Sequence, residues 1–156
     1  MTKFYIIKFK NKNLKSSFIR NFNNYSDSII FKYAIKIYNN PSNQRNLIRK
    51  DNTGKVGIYC WINKITGKFY IGSSDSLYIR ISDYYQNWYI LYRSNVHIVK
   101  TLSKYGMKNF SLVILEYSDS ENLVLCEQKW INFLKPEYNI IYLAKNKNSK
   151  EKDKIE

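Results

Sequence analysis

At 156 residues the chain has room for one ordinary domain plus an extension, which excludes two large domains. A hydrophobic share of 44%, with 15 Tyr, 8 Phe and 3 Trp, excludes a wholly disordered chain. A net charge of +14, from 26 Lys and Arg against 12 Asp and Glu, makes nucleic acid the first partner to expect.

The basic excess is concentrated at the start. Residues 1–56 hold 12 basic and 2 acidic side chains, residues 57–142 hold 9 and 7, and the tail holds 5 and 3. A merely solvated Lys-rich arm is the plain alternative to a nucleic-acid grip. Cys60 and Cys126, with no CxxC pair and one histidine in the chain, cannot furnish a structural zinc site, and they predict buried free thiols in a reducing compartment. No uncharged apolar run approaches the roughly 18 residues of a membrane span, and the start lacks a secretory-signal pattern, so a soluble intracellular protein with no membrane partner is expected. Lys outnumbers Arg 21 to 5, and Asn, Ile, Tyr and Phe are abundant, a bias towards A/T-rich codons that suggests an organellar genome.

In chain order, residues 1–55 read as a basic Lys/Asn-rich extension, ending in a linker from Pro41 to Gly54. Val56 to Ile62 and Lys68 to Ile71 are β-rich runs around the turn-forming Asn63-Lys64-Ile65-Thr66-Gly67, which predicts a hairpin. After Gly72, the set Ser73-Ser74-Asp75-Ser76 offers N-caps for a helix with Leu77, Ile81 and Tyr84 on one face. Val96, Val99, Leu102 and Tyr105 mark a second helix closed by Gly106. Phe110 to Tyr117 is apolar on both alternations, a strand covered on both faces. Leu123, Cys126, Trp130, Phe133 and Leu134 define a third helix, stopped at Pro136. The order ββααβα predicts an α+β fold with a small three-stranded antiparallel sheet flanked by helices over 56–142, followed by a polar charged tail over 143–156.

Chemistry shows where polar groups interrupt this pattern. At 100° per residue Glu127 falls at about 40° from Leu123, between Leu134 and Ile131, inside the apolar stripe of its helix. A carboxylate there needs a cation, a metal or strong donors, unless it is a stripe-edge residue or one half of a structural ion pair. Arg80 flanks the stripe of the first helix, where its planar fork suits a phosphate, or it snorkels to solvent. Tyr59 and Tyr70 lie on the two hairpin arms, close enough to hold a water between them or simply to pack. Asn139, alone, is a turn residue, and His97 reads as ordinary surface.

Gly57-Ile58-Tyr59, Tyr70-Ile71-Gly72-Ser73, Leu77-Tyr78-Ile79-Arg80-Ile81, Lys104-Tyr105-Gly106, Glu127 beside Trp130, and Pro136-Glu137-Tyr138-Asn139-Ile140 together resemble the GIY-YIG nuclease family. The likeness is strongest to its intron-encoded homing endonucleases of fungal mitochondria. The resemblance implies a metal-dependent endonuclease that hydrolyses phosphodiester bonds of double-stranded DNA, located in the mitochondrion, with no protein partner implied. It makes Glu127 the ligand of Mg²⁺ or another divalent cation, and Arg80 the residue that offsets charge on the pentavalent phosphate. It makes Tyr59 the residue that activates or positions the attacking water, Tyr70 its support, and Asn139 the asparagine near the close of the domain. The histidine of some members would align near Arg93 or Ser94, so His97 receives no catalytic role. Homing members generally carry a recognition module after the nuclease domain, whereas about 14 residues follow it here. That leaves two readings, a shortened intron reading frame or recognition by the basic N-terminal arm. A nucleic-acid-binding protein without cleavage, such as an intron-splicing helper, is the reading from another class.

Overall fold

A computed structural model of the protein describes residues 25–140. The expected arm residues 1–24 and the expected charged tail lie outside the described residues.

The sheet is built on the hairpin. Strand β2 (Val56–Asn63) pairs antiparallel with β3 (Phe69–Ser74), Tyr59 opposite Gly72 and Trp61 opposite Tyr70. Strand β4 (Phe110–Ser118) lies antiparallel on the other side of β2, with a register shift between Ile58 and Tyr59. Nearly every residue of β2 and the first six of β4 are buried, as their two-sided apolar pattern requires. Strand β3 runs three residues past Ile71, so Ser73 and Ser74 belong to the sheet and only Ser76 flanks the next helix.

The sheet has four strands, not the three expected, in the order β1-β4-β2-β3. The extra strand β1 (Lys36–Tyr38) comes from the basic extension and pairs antiparallel with β4. Three residues between Lys and Asn runs carry no readable periodicity; the open edge of β4 recruits them. Helix α1 (Tyr25–Tyr33) precedes β1, and α2 (Arg45–Asn52) occupies the stretch expected as a linker. Burial of Ile48 and Asn52 anchors α2: the Asn52 amide donates to the Tyr38 hydroxyl at 2.9 Å and accepts from the Tyr117 hydroxyl at 3.2 Å, tying α2 to β1 and β4.

Four helices separate or follow the later strands. Helix α3 (Leu77–Asp83) follows β3, then α4 (Asn87–Tyr92), which the ββααβα order lacked, and then α5 (His97–Tyr105), ended by Gly106 at φ +78°. Helix α6 (Leu123–Leu134) follows β4, and Lys135 in the left-handed region turns the chain out of it before Pro136. Helices α2 to α5 cover one sheet face, over Tyr59, Trp61, Leu112 and Ile114. Helices α1 and α6 cover the other, over Ile58, Cys60, Ile71 and Val113. The α+β class holds, with the sheet between two helical layers. Neither cysteine forms a disulfide; Cys60 is buried, and Cys126 is only half-buried, because it sits on the flank of α6 beside Glu116. Among the described residues no helix is long and apolar enough to cross a membrane.

Candidate active site

Strand alternation decides which motif side chains share a face. Tyr59 and Tyr70 point to the α3 side of the sheet, with ring centroids 6.4 Å apart. They can approach because Gly72 lies opposite Tyr59: a Cβ there would stand 2.6 Å from Cζ and Oη of Tyr59 and 2.9 Å from Cε1 of Tyr70. The motif glycine is the bed on which the Tyr59 ring rests. Gly57 faces a similar constraint from the main chain, since a Cβ would collide with the Glu116 carbonyl oxygen.

Around these phenols lies an aromatic and guanidinium cluster. Tyr59 and Tyr84 share a hydroxyl–hydroxyl hydrogen bond of 2.9 Å, and Tyr84 packs edge-on against Tyr89 with centroids 5.5 Å apart. Arg80 donates from Nη1 to the Tyr89 hydroxyl at 3.2 Å. Burial works against the Arg80 charge, but the oxygens of Tyr59, Tyr89 and Tyr84 outweigh it, so the guanidinium is held protonated more firmly than in water. Burial also drives the Tyr59 phenol well above its usual value, with Tyr70 adding to the shift while Tyr84 and Arg80 oppose it.

Glu127 comes from the opposite layer. Helix α6 is fixed by Trp130, whose Nε1 donates to Glu116 at 2.6 Å, and by Lys129, whose Nζ meets the same carboxylate at 2.6 Å. Glu127, half-buried, accepts a 2.7 Å hydrogen bond from Ser73 Oγ on β3. Ser73 is two residues beyond Ile71 on β3 and so shares the face that α6 covers. Tyr70 registers the meeting of the two layers: burial first, then Glu127, pushes its phenol up to about 12, while Arg80 pulls the other way. Tyr70 therefore lies within electrostatic reach of both the acid and the guanidinium.

Asn139 sits elsewhere on that edge. Its side-chain oxygen accepts from the Ile71 amide at 2.9 Å and its amide donates to the Ile71 carbonyl at 2.8 Å, so both functions are spent on the β3 backbone. Glu137 and Tyr138 continue this pairing along Phe69. The His97 ring packs against Tyr138, with centroids 5.3 Å apart. Ser73, Tyr84 and Tyr89 are the members that sequence reasoning missed. Ser73 reads as a cap candidate and Tyr84 as core; only the extension of β3, and a helix short enough to go unnoticed, bring them to the cluster.

One half-buried carboxylate beside a hydroxyl is a donor set that suits a hard cation which keeps most of its waters and takes further oxygens from a phosphate; Glu127 fits Mg²⁺ on that ground. Among the described residues no three His, Cys, Asp or Glu side chains gather as a fuller cage would need.

Comparison with known proteins finds relatives by sequence. A Neurospora crassa protein named "Probable intron-encoded endonuclease bI1" is 30% identical over 119 residues, which cover 70% of this chain and 25% of that protein. A second, "Probable intron-encoded endonuclease 1" of the same organism, is 34% identical over 71 residues, 46% of this chain and 22% of its own. The chain thus spans about a quarter of the length of these curated relatives. No solved structure matches it. The family described as "GIY-YIG catalytic domain" matches residues 55–139, more than half of the chain and the whole stretch from β2 to Asn139; the protein belongs to the GIY-YIG family.

Proposed function

We propose that the protein is a DNA endonuclease of the intron-homing kind, which hydrolyses a phosphodiester of double-stranded DNA at the β3 edge, between α3 and α6. The observation that carries this reading is that β3 bears both Tyr70, whose ring lies 6.4 Å from that of Tyr59, and Ser73, which is bonded to Glu127 at 2.7 Å. A scissile phosphate at that phenol has an acid, a fixed cation and two hydroxyls within reach.

Arg80, held protonated and anchored on Tyr89, offsets the charge that builds on the equatorial oxygens as phosphorus becomes pentavalent. Tyr59 and Tyr70 remain neutral phenols at physiological pH, so they orient the attacking water by hydrogen bonding rather than remove its proton as phenolates. Of the two roles the resemblance allows Tyr59, positioning is the one its buried hydroxyl supports. The water oxygen bonds to phosphorus as the opposite P–O bond breaks, leaving one phosphate end and one hydroxyl end. Ser73 holds the Glu127 carboxylate in the orientation needed for a divalent ion. Such an ion, when bound, polarises a phosphate oxygen and stabilises the leaving oxygen. Asn139 acts by fixing the backbone between Tyr70 and Gly72. The intron-encoded relatives and the A/T-rich codon bias support a mitochondrial setting.

The experiment is a nicking assay on supercoiled plasmid with and without Mg²⁺, using the unaltered chain and Glu127→Gln. The expected outcome is Mg²⁺-dependent nicking that falls at least about a hundredfold in the variant, with DNA binding kept. DNA binding without any nicking by the unaltered chain would instead support the reading of a nucleic-acid-binding protein without cleavage.

A further inference from the structure

Helix α4 has two contrasting sides. Tyr89 turns inward, buried, and accepts the hydrogen bond from Arg80 at 3.2 Å. Trp88, Leu91 and Tyr92, spaced i, i+3 and i+4, form one strip, and they are 59%, 75% and 76% exposed. Single exposed apolar residues are ordinary, but three adjoining large ones on a six-residue helix are not. The Arg93 guanidinium lies 5.5 Å over the Tyr92 ring, and the Trp88 ring stands edge-on to Tyr89, 5.7 Å away. From Tyr84 to Leu115 the chain has no carboxylate, while Arg93, Lys100, Lys104 and Lys108 are all exposed. An apolar strip set in a cationic, acid-free stretch complements a duplex, whose phosphates meet the cations and whose base steps or sugars meet the rings.

We propose that the Trp88-Leu91-Tyr92 face of α4 is a DNA contact, packing against the duplex flanking the scissile phosphate. This rests on the nuclease reading, because only that reading places a duplex at Arg80. The geometry fixes its location: Trp88 is the immediate neighbour of Tyr89, the phenol that anchors Arg80, so a duplex seated at the guanidinium runs alongside α4.

The three tryptophans make the test direct, since Trp61 and Trp130 are buried and Trp88 alone is open to quencher. Acrylamide quenching of the full chain is compared with that of Trp88→Phe, free and with a short A/T-rich synthetic duplex, in the absence of divalent metal so that nothing is cut. The difference between the two proteins reports Trp88. It should show an accessible ring in the free protein that the duplex shields. The double variant Trp88→Ala, Tyr92→Ala should bind the same duplex about tenfold or more weakly. Bound DNA that leaves Trp88 quenchable overturns the proposal, as does a double variant with undiminished affinity. Shielding already present in the free protein also overturns it: another part of the chain, or a second copy seen as a dimer by light scattering, then covers the strip. No duplex binding by the unaltered chain overturns the nuclease reading itself, whereas binding with Trp88 unshielded overturns only the contact.

Discussion

Gly72 shows how much a single hydrogen decides in this site. Gly72→Ala would drive a methyl into the Tyr59 phenol at 2.6 Å, and both rings are hemmed in by their neighbours. The expected result is a loss of about 1–3 kcal/mol in urea unfolding, with cleavage falling further than that loss explains because Tyr59 and Tyr70 are displaced together. Arg80→Lys keeps the charge but loses the planar fork and its bond to Tyr89, so kcat is expected to fall about 10²-fold or more with little change in KM. The phenols set a pH dependence. Tyr70 titrates near 12 in the folded protein against 10.0 unfolded, and Tyr59 is raised too. Above pH 10 the unfolded chain therefore loses protons that the folded chain retains. Stability is fully present below pH 10 and is expected to decline towards pH 12; the urea midpoint measured at pH 8, 10 and 11 checks this, and Tyr59→Phe should lessen the decline. The individual residues were unevenly legible in the sequence. The place of Glu127 within an apolar stripe announced a partner, and Ser73 is one. Tyr84 and Tyr89 could not be singled out among fifteen tyrosines, because nothing in local spacing distinguishes a packing phenol from one bonded to Tyr59 or Arg80.

At the scale of elements, the edge strand β3 carries the site, and the chain after α6 secures it. Asn139 closes a reciprocal pair of hydrogen bonds on Ile71, between Tyr70 and Gly72. Asn139→Ala leaves a buried amide and carbonyl unpaired, an expected cost of about 1–3 kcal/mol. Amide exchange at Ile71 should accelerate and cleavage should drop, whereas removal of a group that touches only substrate would leave that exchange unchanged. The longer elements were legible because their periods are long enough to count: the hairpin, β4, α5 and α6 lie where apolar spacing, Gly106 and Pro136 place them. The short ones were not. Strand β1 has three residues and α4 six, below the length at which period 2 or 3.6 declares itself, and both exist because a neighbour offers an edge or a bed.

Over the whole molecule, the basic extension is part of the fold as well as a source of charge. Removing residues 1–50 would delete a strand and most of α2, so its electrostatic contribution is better tested by substitution. Arg45 and Arg49 are exposed on α2, over the rings of Tyr85 and Tyr78. Replacing both with Gln is expected to flatten the log–log salt dependence of DNA affinity by about 0.9 for each phosphate that is no longer neutralised, and an unchanged slope would remove α2 from the DNA surface. The sequence by itself determined the class of fold, the hairpin, the long helices and a set of polar residues out of place in apolar patterns. These follow from local covalent geometry and from period, which act within a dozen residues. The tertiary structure alone decided that a fourth strand joins the sheet, that Asn139 serves the backbone of β3, and that Glu127 from one helical layer bonds Ser73 while Arg80 from the other bonds Tyr89. Those outcomes depend on which edges remain unpaired and which faces meet, and such pairings arise only when segments far apart in the chain are packed together.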